Sequence, residues 1–419
     1  MNDEEGGPVT EDRDQQGPSR TRVMLLGSGE LGRELVVALQ RLGTEVIAVD
    51  RYADGRLHGV ADQALVVNMT DTDELTATIR WLQPKFVVTA TEVVATDALT
   101  AATDTGFTEV MPSTRAARLT ADVERMRRLA ADELGLPTVP FWFAGSADEL
   151  RSVAEHAGFP MVVKPVAGSP GEGQSVMVRA DDVEPAWQRA MSAAGPAAPE
   201  RVLAETVVDV DSEVTLLTVH SDGPAGAVLE FCAPIGHRSI EGPDGLLVLE
   251  SWQPHAMSAI ALDAARSIAA RVVRALGGRG LFGVELLIRG DEVYFSNVTA
   301  RPYDVALLTL RTQRLSGFEL QARAILGLAV DTVMISPGAA RLVYASRRVA
   351  DAPAEERPDT VAVLADAFNV TESDAVVFGH HEGHPRRRLG VALATAPDVT
   401  AARDRARQVS TALDKLWRS

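Results

Sequence analysis

The chain has 419 residues, 46% of them hydrophobic and 24% charged, with a formal net charge of -17; this is length for two or three domains and excludes collagen-like, low-complexity and wholly disordered classes. The acidic excess disfavours nucleic acid and anionic lipid as partners, and one cysteine, Cys232, excludes a disulfide scaffold or a cysteine-cluster metal site. No apolar run approaches the roughly 20 residues of a membrane span and the N-terminus lacks a signal peptide's basic-then-apolar order, so the expected compartment is the cytoplasm.

Residues 1–21 are acidic, polar and broken by Gly-Gly-Pro and Gly-Pro, and read as a disordered extension. From Arg22 a buried-strand run (Val23 to Leu26) meets a glycine-spaced turn (Gly27 to Gly32), a helical apolar pattern (Leu31 to Leu42) and a second strand, Glu45 to Asp50. Strand, glycine turn, helix and strand within about thirty residues predict a βαβ unit and a parallel sheet. Strand-like runs at Gln63 to Asn68 and Phe86 to Thr89, around a helical stretch Asp73 to Leu82, continue it, and a helix is predicted over Val123 to Leu134. The crossover pattern then stops. Met161 to Val166 and Ser175 to Arg179 are strands joined by a glycine-rich loop, a hairpin that opens a second domain. Further strands are predicted at Val202 to Glu205, Glu213 to Val219 and Ala227 to Ala233, then a helix over Ala259 to Leu276. A hairpin of Leu281 to Ile288 with Glu292 to Val298 turns at Gly290-Asp291, and a last helix covers Val399 to Trp417.

Three constellations carry chemistry. Gly27-Ser28-Gly29-Glu30-Leu31-Gly32, with Asp50 closing the next strand, has the spacing of a dinucleotide-binding turn. Packing of helix on strand, or a different phosphorylated substrate, satisfies it equally, and the carboxylate of Glu30 would repel a pyrophosphate there. Lys164 stands at a strand end before Gly168 to Gln174, a loop whose backbone N–H groups can close on phosphate oxygens beside a point charge. No G-K-[ST] follows, so it is not a Walker loop; a mobile hairpin tip with a surface lysine is the bland alternative. Glu285 faces Asn297 across the predicted hairpin, a carboxylate and a carboxamide of the kind that hold Mg²⁺, and Arg301 offers a guanidinium to developing phosphoryl charge. Arg386-Arg387-Arg388 is a compact basic run in an acidic chain.

Together with TRVMLLGSGELG (Thr21 to Gly32), RLGTEVIAVDRYAD (Arg41 to Asp54), VTLLTV (Val214 to Val219), CAPIGHR (Cys232 to Arg238), ESWQP (Glu250 to Pro254), ALGGRGLFGVEL (Ala275 to Leu286) and RRLGVALATA (Arg387 to Ala396), these features resemble the formate-dependent phosphoribosylglycinamide formyltransferases of the ATP-grasp superfamily. The resemblance implies a mixed α/β and α+β architecture: a Rossmann-like N-terminal domain (22–122), an ATP-grasp lid (123–204) and a large subdomain with the C-terminal region (205–419). It implies a homodimeric ATP-dependent carboxylate–amine ligase of purine biosynthesis that joins formate to glycinamide ribonucleotide, with ATP and Mg²⁺.

Matching positions assign Lys164, Ser169, Gly171, Gly173 and Gln174 to the ATP phosphates, Glu205 and Val208 to adenine, and Glu213 to ribose. Glu285 and Asn297 fall to the metal, and Arg301 and Asp304 to catalysis. Glu30, Leu31, Asp304, His380, Arg387 and Arg388 fall to the ribonucleotide. The chain departs from the family pattern at Ala90, Val123, Glu172, Asn297, Tyr303 and His380, where a glutamate, an arginine, a lysine, a glutamate, a histidine and a lysine are expected. A paralogue joining another carboxylate and amine, or a non-catalytic nucleotide-binding dimer, are the other readings that these changes leave open.

Overall fold

The computed structural model describes residues 20–27, 29–53, 55–167, 173–194, 199–223, 226–241, 246–345, 359–378 and 388–417. Ser169, Gly171, Glu172, His380, Arg387 and the predicted extension up to residue 19 lie outside them.

The N-terminal unit is a five-stranded parallel sheet of β1 (Arg22–Leu26), β2 (Glu45–Asp50), β3 (Gln63–Val66), β4 (Phe86–Thr89) and β5 (Glu109–Met111) in the order β3-β2-β1-β4-β5. Helices α1 (Gly32–Arg41), α2 (Thr72–Leu82), α3 (Thr96–Asp104) and α4 (Thr114–Thr120) supply its crossovers and flanks. Near-continuous apolar runs are what a sheet covered on both faces requires, and Val23 to Leu26 are fully buried. Asp71 caps α2 by accepting from the amides of Asp73 and Glu74. The strand order reverses between β1 and β4, so a crevice opens at their carboxyl ends. Gly27 sits there at φ +99°, and a Cβ on it would come within 3.0 Å of Thr91.

The second unit is a four-stranded antiparallel sheet, β6-β9-β7-β8, of β6 (Phe141–Ala144), β7 (Met161–Pro165), β8 (Ser175–Met177) and β9 (Val202–Thr206). Helices α6 (Ala147–Ala157) and α7 (Val183–Ala194) close one face over a core of Leu150, Val163, Met177 and Ala190. Helix α5 (Val123–Arg128), which continues as a π-helical turn over Leu129–Glu133, precedes this sheet in the chain. Its Met126, Leu129 and Ala130 nevertheless pack into the core of the third unit.

That third unit is built on one large sheet. Its strands are β10 (Ser212–Gly223), β11 (Gly226–Phe231), β12 (Ile235–Glu241), β13 (Leu247–Gln253), β14 (Gly280–Arg289), β15 (Glu292–Thr299), β16 (Gly338–Tyr344), β17 (Ser373–Val377) and β18 (Arg388–Thr395). They run β15-β14-β10-β12-β13-β16-β18-β17, with β11 paired to β10. Helices α8 (Ala259–Leu276), α9 (Thr309–Thr312), α10 (Gly317–Ile325), α11 (Thr360–Ala367) and α12 (Val399–Leu413) pack against it. Ser258 caps α8 through the amide of Ala261, and Gly277 ends it at φ +69°. Between them α8 buries Ile268, Val272, Val273 and Leu276, side chains worth about 1.5–3 kcal/mol each. Arg279 ties the large sheet to the first unit, reaching Glu109 at 2.6 Å and Asp222 at 2.5 Å.

Candidate active site

The three units surround a cleft of about 2250 Å³. On its lid side β7 delivers Lys164 and β9 delivers Glu205, neighbouring strands whose ladder pairs Lys164 with Leu203. Lys164 Nζ donates to Glu205 Oε2 at 2.6 Å, and Arg127 donates to Oε1 from α5. Burial pushes the Glu205 carboxyl up, but Arg127 and Lys164 outweigh it and hold the group below the usual range. Both carboxylate oxygens are thus engaged within the protein. Gly173, Gln174, Val208 and Glu213 complete this end; Gln174, Val208 and Glu213 line the cleft. Gly173 stands at φ +70°, where a Cβ would lie 2.5 Å from Ala193. Val123 also lines the cleft, and Arg127, one helical turn further along the same face, brings a cation to it. Arg125, on the same helix, points out to Asp122 at 3.0 Å, and only the i, i+4 spacing from Val123 marks Arg127 in the sequence.

Deeper in, the ladder sets Glu285 opposite both Thr215 and Asn297, with a bulge after Glu285 that leaves Ser296 as the extra residue of β15. Tyr303 lies across Gly283, where a Cβ would come within 2.3 Å of its ring. Its hydroxyl is 2.7 Å from Thr215 Oγ1 and hydrogen-bonds Glu285, and Thr215 Oγ1 is 3.0 Å from His237 Nε2. Burial raises the Glu285 carboxyl; the Tyr303 bond opposes this and the neighbouring Glu213 adds to it. Burial, with His255 nearby, depresses His237 to about 4, so its ring is neutral. Burial also raises Glu213, which Lys164 partly offsets. Sequence reasoning missed Thr215 and His237, whose place beside Glu285 depends on strand register.

Among the described residues no group of three or more His, Cys, Asp and Glu is arranged to hold a metal. The donor set is one carboxylate and one carboxamide oxygen, on paired strands. That fits a single Mg²⁺, which usually takes one or two carboxylates and completes its shell with phosphate oxygens and water; it does not fit a carboxylate-bridged metal pair.

At the crevice of the parallel sheet, Arg388 Nε donates to Asp304 Oδ1 at 2.5 Å, and its Nη1 lies 3.6 Å from Glu30 Oε2. Arg56 reaches Glu30 at 3.3 Å and the Tyr344 hydroxyl donates to Asp304 at 2.5 Å. Burial raises Glu30 despite Arg388 and Arg56. Leu31 packs beside this group on the core under the turn. Arg301, predicted for catalysis, donates from Nη2 to Glu92 of the N-terminal unit at 2.9 Å. The cluster of Glu30, Asp304 and Arg388 joins residues distant in sequence, and its Arg388 is already shared by two carboxylates.

An ATP-grasp domain model matches residues 129–318, and a model described as "PurT, C-terminal" matches residues 358–413. The formate-dependent phosphoribosylglycinamide formyltransferase of Rhodococcus jostii (strain RHA1) is 49% identical over 401 residues, which covers 94% of this chain and 96% of the relative. The chain belongs to this family. The enzyme of the same name from Burkholderia pseudomallei (strain 668) is 50% identical over 94% of this chain and 96% of its own length. Among solved structures, glycinamide-RNase-transformylase T from Mycobacterium tuberculosis is 55% identical, with TM-score 0.76 and coverage of 93% and 99% of the two chains. Carboxyaminoimidazole ribonucleotide synthase from Aspergillus clavatus, complexed with ATP, has TM-score 0.78 at 20% identity over 95% and 99% of the chains, a likeness of fold alone.

As a formate-dependent phosphoribosylglycinamide formyltransferase family member, the chain is an ATP-grasp enzyme, and the expected fold class stands. Ala90, Val123 and Tyr303 all line the cleft, so these departures from the family pattern lie on the ligand side of the scaffold. Lys164 gives a direct test. Lys164→Ala should weaken ATP binding roughly ten- to hundredfold, the loss of one charge-assisted contact of about 1.5–3 kcal/mol. Folding should survive, because Glu205 keeps Arg127 and the Lys164 side chain is 35% exposed. Calorimetric titration that returns wild-type affinity would remove Lys164 from the phosphate site.

Proposed function

We propose that this chain joins formate to the amine of glycinamide ribonucleotide with ATP and Mg²⁺, as a cytoplasmic homodimer. One observation carries the reading: Lys164, Glu213, Glu285, Asn297, Asp304 and Arg388 open onto a single cleft shared by a phosphate-type lid and the crevice of a parallel sheet. In this reading Lys164 and the loop through Gly173 and Gln174 hold the ATP phosphates. The chain from Glu205 to Val208 meets adenine through its backbone, since the Glu205 carboxylate is occupied, and Glu213 takes the ribose.

Glu285 and Asn297 would hold Mg²⁺, which supplies charge neutralisation for the transferring phosphoryl group. A formate oxygen attacks the γ-phosphorus, and the bond to ADP breaks to give formyl phosphate. The substrate amine then attacks the formyl carbon and phosphate leaves, carrying the electron pair of the broken C–O bond and taking up the amine proton. The protein's own residues position the reactants and exclude water. Arg301 faces the developing phosphoryl charge, while Glu30, Leu31, Asp304 and Arg388 orient the ribonucleotide, with Arg387 and His380 expected beside them.

The test is phosphate release with ATP, Mg²⁺ and formate, with and without glycinamide ribonucleotide, together with detection of the formylated product. Turnover only with a different carboxylate and amine would move the assignment to a paralogue, a reading favoured by Tyr303, whose ring fills the space over Gly283 beside Glu285. ATP binding without turnover would make the chain a nucleotide-binding dimer. The metal pair of donors makes its own prediction. Asn297→Glu should raise Mg²⁺-dependent ATP affinity about tenfold by adding a charged ligand. Titration of ATP at several Mg²⁺ concentrations checks it, and unchanged affinity would mean that the carboxamide already suffices.

A further inference from the structure

A second charged assembly lies on the large sheet and takes no part in the reaction above. The ladders of β12, β13 and β16 set Arg238, Glu250 and Arg341 side by side, and α12 brings Arg403 to the same carboxylate. Glu250 accepts from Arg238 Nε at 2.8 Å, Arg341 Nη1 at 3.2 Å and Arg403 Nη2 at 2.7 Å. Its side chain is 2% exposed. Burial pushes its carboxyl up, but Arg403 and Arg238 outweigh that and keep it ionised.

One carboxylate cannot balance three guanidiniums. Among the described residues none of the three arginines pairs with another acid, so two positive charges stay uncompensated in a chain whose net charge is -17. The Nε atoms of Arg341 and Arg403 are buried without a hydrogen-bond partner among the described residues, and groups of this kind cost free energy unless something pairs with them. The assembly is also held rigid. Arg403 stacks over Trp252 with Cζ 4.3 Å from the ring centroid, Trp252 Nε1 donates to His255 Nδ1 at 3.1 Å, and a Cβ on Gly236 would come within 2.5 Å of the indole. Arg238 and Arg403 both face the cleft.

We propose that Arg238, Arg341 and Arg403 form a phosphate-binding site around Glu250, separate from the ATP and ribonucleotide positions. Two excess charges match a phosphate dianion, and guanidinium forks suit its oxygens. The experiment is calorimetric titration of the full chain with inorganic phosphate, with the nucleotide position saturated by a non-hydrolysable ATP analogue and Mg²⁺. Arg403→Gln and Arg238→Gln should each weaken binding roughly tenfold, and Glu250→Gln, which removes the competing negative charge, should tighten it. Lys164→Ala and Arg388→Gln should leave this binding unchanged. Phenyl phosphate run in parallel distinguishes a site for the phosphate of a larger molecule, which it would occupy, from one for the free ion, which it would not. Should Glu250→Gln fail to fold, the two arginine variants still decide, because each leaves Glu250 with two guanidiniums. Absence of phosphate binding in the wild type, or its persistence in the Arg238→Gln/Arg403→Gln double variant, overturns the proposal and leaves a purely structural ion cluster.

Discussion

Glu205→Ala should lower the stability of the fold by about 3–5 kcal/mol, the usual cost of stranding one partner of a buried ion pair. The stranded group is Arg127, whose side chain is 6% exposed. Beyond Glu205 it has a 3.4 Å bond to the Phe295 carbonyl and a position 5.7 Å over the Phe141 ring. Lys164 contributes less to the loss because it can turn to solvent. The pair also spans two units, since α5 packs into the core of the large sheet while β9 belongs to the lid. Denaturant unfolding measures the change, and Glu205→Gln/Arg127→Met should recover much of it by removing the unmatched charge. The pH dependence has a definite sign. Because the folded carboxyl sits below its ordinary value, its stabilisation is complete above the unfolded pKa and is lost as pH falls through the folded one. Glu205→Ala should lack that contribution to acid denaturation. An unchanged midpoint would mean that the pair does not hold lid to body.

Elements with a complete local signature were legible in the sequence. The glycine turn between β1 and α1, the capped helix Ala259–Leu276 and the hairpin of β14 and β15 each contain their own start, periodicity and stop within thirty residues. Strands β13, β16 and β18 do not. β13 pairs with β16, and β16 with β18, across long insertions, so no turn residue announces those partners; β12 and β13 are neighbours in sequence, yet although CAPIGHR and ESWQP were recognisable as family text, their ladder was not. The site divides the same way. Residue type and spacing singled out Lys164 and Glu285, and Asn297 followed from the hairpin register. Arg127 and His237 line the cleft, and Thr215 is buried against His237 and Tyr303; strand register, which no local pattern announces, places the histidine and the threonine, and only the i, i+4 spacing from Val123 marks Arg127. Arg238 and Glu250 lie inside the recognised stretches, yet their convergence with Arg341 and Arg403 needs the folded sheet.

Glu285→Gln should reduce turnover by about a thousandfold while leaving the protein folded and slightly more stable. The side chain keeps its size and can still accept the bond from Tyr303, so the change isolates the charge. Loss of that charge removes the acidic half of the Mg²⁺ donor set, and metal stabilisation of a transferring phosphoryl group is worth several kcal/mol. Stability should move the other way. The folded carboxyl of Glu285 is raised by burial, so the native state holds the proton more tightly than the unfolded chain; the ionised group therefore disfavours folding above the ordinary carboxylate pKa, and this penalty fades as pH falls. A neutral isostere lifts the penalty at neutral pH. Tyr303→Phe provides the graded comparison, because removal of a hydrogen bond to a metal ligand costs about 10–100-fold and leaves the carboxylate in place. Steady-state kinetics with ATP and Mg²⁺, paired with thermal unfolding of both variants, gives the two readouts. If Glu285→Gln loses stability and activity together, Glu285 serves the fold; if activity falls while the melting temperature rises, the carboxylate is retained for the reaction at the expense of the fold.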